Sequence, residues 1–238
     1  MTESLTNIRG RSAAPASTCD DETVPARFRS TVATVGVGVG VGVTLMGVGL
    51  VLWAWAASDD REVDRTEVTE ETIVMLGDSI TEEGPWSTNF SDPPVANRGY
   101  SGYTTAQLVD VARGVAEARP SAVYILTGTN DIRDDRPPSW TVQHLGTILD
   151  EFERTSPDTV VTVQTILPRA DRRADVVAAN LAIVEIARSR GFDVLDLHRV
   201  FDDGNGALRP VDTRDGIHLS QAGNLRWADV LRSEFAQL

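Results

Sequence analysis

From residue 72 onward, short apolar runs alternate with longer segments whose apolar residues recur every three to four positions. The short runs, at 72–76, 95–97, 122–126, 160–166 and 194–197, read as strands. Segments 105–118, 142–154 and 174–190, with a closing one at about 221–235, read as amphipathic helices. Strands separated by helices imply a parallel sheet covered on both faces. The polar breaks are not scattered. GDS at 77–79 follows the first strand, NRGYSG at 97–102 the second and GTND at 128–131 the third, while DGIH at 215–218 leads toward the last helix. In open parallel sheets, the carboxyl ends of the strands are where sites form.

The pattern before residue 72 is different. No charged residue lies between Arg29 and Asp59, and residues 31–57 are almost all Val, Gly, Ala, Leu and Trp. As a helix rising ~1.5 Å per residue, that run exceeds the ~30 Å hydrocarbon core of a bilayer. Its Val-Gly alternation has a strand's period, but a lone strand in lipid leaves its backbone unsatisfied, so a helix is expected. The expectation is an N-terminal tail at 1–30, a transmembrane signal anchor at 31–57, a charged linker at 58–71 and one domain at 72–238. Gly36 with Gly40, and Gly38 with Gly42, form small faces suited to self-association of the span; a compositional repeat without pairing is the plainer reading. A cleaved signal peptide ending near Ala54-Trp55-Ala56 is the rival, yet the run is longer than the ~7–15 residues of a signal core. Arg9, Arg11, Arg27 and Arg29 precede the run, and Arg61 and Arg65 follow it. The positive-inside rule then leaves the N-terminus in the cytoplasm and the domain outside a single-pass cell-membrane anchor.

Charge and cysteine content narrow the function. The net charge of −13 falls wholly after residue 58, because the four Arg before it offset Glu3, Asp20, Asp21 and Glu22. An acidic domain repels phosphate backbones, which disfavours nucleic acid as a partner. Cys19 is the sole cysteine, so neither an internal disulfide nor a Cys-based zinc site is available.

Ser79 is the candidate nucleophile. A serine hydroxyl needs a base to take its proton, and His is the usual one near neutral pH. Of three histidines, His144 falls in a helix pattern and His198 at a strand end. His218 has Asp215 three residues before it and Gly216 between. A tight turn there would set the carboxylate against the imidazole and hold the tautomer that catalysis needs. Acyl transfer also needs oxyanion donors. Gly102 can bring its N–H close for want of a side chain, and Asn130 can offer its amide.

Taken together, GDSIT, NRGYSG, GTNDI and DGIHLSQAG resemble the SGNH hydrolase superfamily, also called GDSL esterases and lipases, and within it the compact platelet-activating-factor acetylhydrolase-like and carbohydrate acetylesterase-like branch. The resemblance implies a flavodoxin-like three-layer α/β/α sandwich with a central parallel five-stranded sheet. It also implies a Ser79–His218–Asp215 triad, an oxyanion hole of the Ser79 amide with Gly102 and Asn130, and neither metal nor organic cofactor. Tyr103 departs from the Asp that many relatives carry after the Ser-Gly pair. The short, Pro-rich interval between Ser79 and Gly102 leaves little room for a lid. The expected function is a serine esterase acting on small acyl groups, acetyl foremost, carried by a glycan or lipid-like alcohol. The alternatives are a membrane-tethered, non-catalytic glycan-binding module and a lysophospholipase or thioesterase of the same fold.

Overall fold

The computed structural model describes residues 66–238. Five strands, β1 (Ile73–Gly77), β2 (Val95–Gly99), β3 (Ala122–Leu126), β4 (Val160–Gln164) and β5 (Asp193–Leu195), form one sheet. Every neighbouring pair is parallel, in the order β2-β1-β3-β4-β5. This is the flavodoxin-like order, with its switch point where the chain leaves β1 for opposite sides of the sheet.

Strand alternation divides the core in two. Val74, Leu76, Val123, Ile125, Val161 and Val163 pack on one face with α3 (Thr105–Ala118), α5 (Pro138–Thr155) and α6 (Arg173–Ser189). Ile73, Met75, Tyr124 and Leu126 turn to the other face, against Trp86, Phe201, Trp227 and Leu231. Those side chains come from α2 (Trp86–Asn89), α7 (Leu197–Phe201) and α8 (Gln221–Phe235). Both faces of β1 and β3 are buried, which is why those strands are continuous apolar runs.

The expected strands and long helices are all present; β3, α3 and α8 keep their expected ends, and the others shift by one to four residues. β4 stops at Gln164 because Ile166 pairs with the Asn180 side chain instead, its N–H to Oδ1 at 2.8 Å and its carbonyl to Nδ2 at 2.9 Å. The last strand ends at Leu195 because Asp196 caps α7, accepting from the Arg199 N–H at 3.1 Å. α5 starts four residues early, at Pro138, whose fixed φ suits the first helical turn. The expected tail, span and self-association faces lie outside the described residues, as does most of the expected linker. Among the described residues, no helix is long and apolar enough to cross a membrane.

Candidate active site

The chain leaves β1 through a crowded turn. A Cβ on Gly77 would lie 2.2 Å from Thr81 Oγ1 and 2.4 Å from the Leu126 carbonyl, so only glycine fits. Asp78 then caps α1 (Ser79–Glu82), accepting the Ile80 N–H at 3.0 Å. The far end of this one-turn helix is held from two sides. The Trp86 indole donates to the Thr81 carbonyl at 2.8 Å, and Asn97 Nδ2 donates to the Glu82 carbonyl at 2.9 Å. Trp86 itself stands edge-on to Trp227, with ring centroids 4.7 Å apart. Ser79 is thereby fixed at the rim while only 7 % exposed.

The loop before α8 brings the expected partner. Asp215 Oδ1 accepts the backbone N–H groups of Ile217 and His218 at 2.9 and 2.7 Å, while Oδ2 lies 2.7 Å from His218 Nδ1. A carboxylate can only accept, so Nδ1 carries the proton and Nε2 is left to accept. Ser79 Oγ lies 3.1 Å from that Nε2. Burial raises the Asp215 pKa, but the His218 backbone and imidazole and the Ile217 N–H outweigh it and bring the group to about 2. A carboxylate so held stays charged beside the imidazole across the neutral range.

The two other expected residues meet at the neighbouring strand ends. Gly102 has φ +75, a left-handed conformation that favours glycine. Asn130 sits in α4 (Thr129–Arg133), directly after β3, and is buried. Its Nδ2 donates to the Tyr103 carbonyl at 2.9 Å, linking α4 to the Gly102 turn. That turn is anchored in turn by the Tyr100 N–H, which donates to the Gly77 carbonyl at 3.0 Å. The other histidines lie apart: His144 in α5 contacts the Trp140 carbonyl, and His198 opens α7.

Several supporting residues escaped sequence reasoning. Asp131, fully buried, accepts from the Thr105 N–H at 3.0 Å, the Thr105 hydroxyl at 2.6 Å and the Thr141 hydroxyl at 2.8 Å, tying α4 to α3 and α5. Arg214 donates to Glu83 at 2.6 Å, joining the His218 loop to the C-cap of α1. Arg133 donates to Asn130 Oδ1 at 2.8 Å. The adjacency of Asp131 to Asn130, and of Arg214 to Asp215, is visible in the sequence, but their partners are not. Asp78 is a different case. Burial pushes its carboxyl up to about 7 against the opposing Ile80 N–H, and its Oδ2 is buried with no partner. Among the described residues, no group of His, Cys, Asp and Glu could hold a metal ion.

This fold recurs in solved structures. A GDSL-like lipase from Bacteroides thetaiotaomicron is 22 % identical, with a TM-score of 0.62 over 71 % of this chain and 89 % of its own. A carbohydrate esterase family 3 protein from Talaromyces cellulolyticus is 20 % identical, with a TM-score of 0.59 over 72 % and 97 %. A mutant of an acetyl esterase, in a crystal structure with acetate ion, is 19 % identical, with a TM-score of 0.57 over 72 % and 97 %. No curated protein matches the chain. The model of the GDSL-like Lipase/Acylhydrolase family matches residues 75–226, a span that takes in all four polar motifs. The chain therefore belongs to that family of ester hydrolases, within the SGNH hydrolase superfamily that its motifs resemble.

Proposed function

We propose that the chain is a serine esterase that removes small acyl groups, acetyl foremost, from a glycan or lipid-like alcohol. The observation that carries this reading is the unbroken relay from Ser79 Oγ to His218 Nε2 at 3.1 Å and from His218 Nδ1 to Asp215 at 2.7 Å. Ser79 Oγ attacks the ester carbon as its proton passes to Nε2, and Asp215 stabilises the imidazolium. The carbonyl oxygen gains charge and is met by the Ser79 and Gly102 N–H groups and by Asn130 Nδ2. Collapse breaks the bond to the alcohol, which leaves with the proton from His218. Water, deprotonated by the same imidazole, then releases the acid and restores Ser79.

Two features favour a small acyl group. Apart from strand β2, the interval between Ser79 and Gly102 holds only the one-turn helices α1 and α2, and α2 places its Trp86 in the core rather than over the site. The similar folds include an acetyl esterase and a carbohydrate esterase. The expected architecture completes the proposal: a tail at 1–30, a span at 31–57 and a linker at 58–71 would hold the domain at 72–238 outside the membrane. The test is a chain-length series of aryl esters, followed by acetate release from isolated envelope polymers. Acetyl esters should give the highest kcat/KM, and a preference for long acyl chains would overturn the small-acyl reading. Activity should sediment with membranes and be lost when intact cells are treated with protease; a soluble form beginning near Ala57 would overturn the anchor.

A further inference from the structure

The Asn130 carboxamide is held at both ends. Its Nδ2 donates to the Tyr103 carbonyl at 2.9 Å, and its Oδ1 accepts from Arg133 Nη1 at 2.8 Å. A backbone carbonyl can only accept and a guanidinium can only donate, so the amide has a single orientation. Turning it over would lose both bonds and point an oxygen where a donor is needed. The Tyr103 bond uses one of the two N–H groups on Nδ2, which leaves the other for a ligand.

Arg133 is more than a clamp on one atom. It follows Asn130 by three residues, so the turn of α4 brings the two side chains together. The same Nη1 would lie 4.0 Å from a Cβ built on Gly102. A permanent positive charge thus stands beside both oxyanion candidates outside the nucleophile turn. Two acidic groups face it. Asp134 accepts from Nε at 2.7 Å in an exposed pair, and the buried Asp78 acts on it through space. The exposed pair contributes little by itself. The bond to Asn130 is partly buried and draws amide electron density toward Oδ1. That shift makes the opposite N–H a stronger donor to a developing negative charge.

We propose that Arg133 is a positioning residue that locks and polarises the Asn130 carboxamide for the tetrahedral intermediate. This rests on the reading of Asn130 as an oxyanion donor. Acting through that donor, Arg133 favours the transition state over the planar ester, so its loss appears in kcat rather than KM. A helix-end role, in which an Arg in the last turn merely complements the helix dipole, would change stability and leave kcat per folded molecule unaltered.

The experiment compares the full-length protein with Arg133→Met, Arg133→Lys, Asn130→Ala and the Asn130→Ala/Arg133→Met double variant. The readouts are 4-nitrophenyl acetate hydrolysis, the fluorophosphonate inactivation rate and Tm on the same preparations. Hydrogen bonds to charged groups contribute about 1.5–3 kcal/mol, so Arg133→Met should lower kcat by roughly 10- to 100-fold. KM should stay within about twofold, inactivation should slow with kcat, and Arg133→Lys should recover part of the loss. In the Asn130→Ala background, Arg133→Met should produce no further loss. An unchanged kcat for Arg133→Met, or an equal loss with and without Asn130, overturns the inference even where Asn130→Ala is crippled. An unchanged kcat for Asn130→Ala removes the oxyanion reading, and this inference with it.

Discussion

Ser79 and His218 lie 3.1 Å apart, yet the segments that carry them are held by opposite means. The Ser79 turn is set by packing against other segments: the Leu126 carbonyl crowds Gly77, Asn97 and Trp86 hold the end of α1, and Trp227 backs Trp86. The His218 loop is set largely by itself. Thr213 Oγ1 accepts the Gly216 N–H at 2.8 Å and donates to the His218 carbonyl at 2.8 Å, while Asp215 binds the two N–H groups just beyond it. Asp215 is 45 % exposed at its side chain, whereas Asp78 is buried completely. One half of the site is therefore rigid through packing, and the other through a local turn joined to the first by the Arg214–Glu83 pair. Packing around Ser79 keeps it in place without water-exposed supports. A local turn lets the imidazole reach the rim from solvent.

Removing either partner of the Ser79–His218 bond gives the largest effect. Ser79→Ala and His218→Ala should each lower kcat by several orders of magnitude, to similar residual levels, because the residues act as a unit. Circular dichroism and Tm should stay near those of the parent for both, since neither change opens the core. Activity retained by either variant would separate the two halves.

Glycine substitutions sharpen the contrast in stability. Gly77→Ala drives a methyl into Thr81 and the Leu126 backbone, and should prevent folding or lower Tm by more than about 10 °C. Gly216, in the His218 loop, has φ +88 but nothing within 4 Å of a Cβ. Its change to Ala carries only local backbone strain of about 1–2 kcal/mol, a Tm loss of a few degrees. Equal losses in thermal melts would contradict the packed-versus-local distinction.

The smallest effect concerns the charges of the two halves. Asp78 has its pKa raised to about 7, so the folded state holds a proton that the unfolded state has released. Stability from this group therefore falls as pH rises from about 4 to about 7. Asp215 works in the other sense: with a pKa of about 2, its contribution is present above about pH 4 and lost as pH falls toward 2. Asp78→Asn should raise Tm relative to the parent by a few degrees at pH 8, and by less at pH 5. A Tm difference independent of pH across that interval would refute the account of Asp78.

The same contrast explains what could be read from the sequence. The Asp215–His218 turn was legible because its geometry is local: Asp, Gly and His at fixed offsets suffice for it. The five strands were legible as short apolar runs and the long helices from their periodicity, down to both ends of α3 and α8. The helices α1, α2, α4 and α7 were not, since four or five residues are too few to show a helical period. Nor were the supports of Ser79 and Asn130. Trp86 reads as one more apolar residue, Asn97 as the end of a strand and Arg133 as surface charge, until the sheet order brings β2 and β3 to either side of β1. The roles of Trp86 and Asn97 depend on contacts between segments, which spacing along the chain does not encode, and that of Arg133 on an i,i+3 contact in a helix too short to show a period.

The central claim is that Ser79 is a nucleophile activated by His218, and covalent capture tests it most directly. The intact protein is treated with a fluorophosphonate at neutral pH, digested and mapped by mass spectrometry. One adduct should form, on the peptide containing Ser79, and its rate of formation should collapse in His218→Ala. An adduct on another residue, or equal labelling of Ser79 with and without His218, would contradict the account.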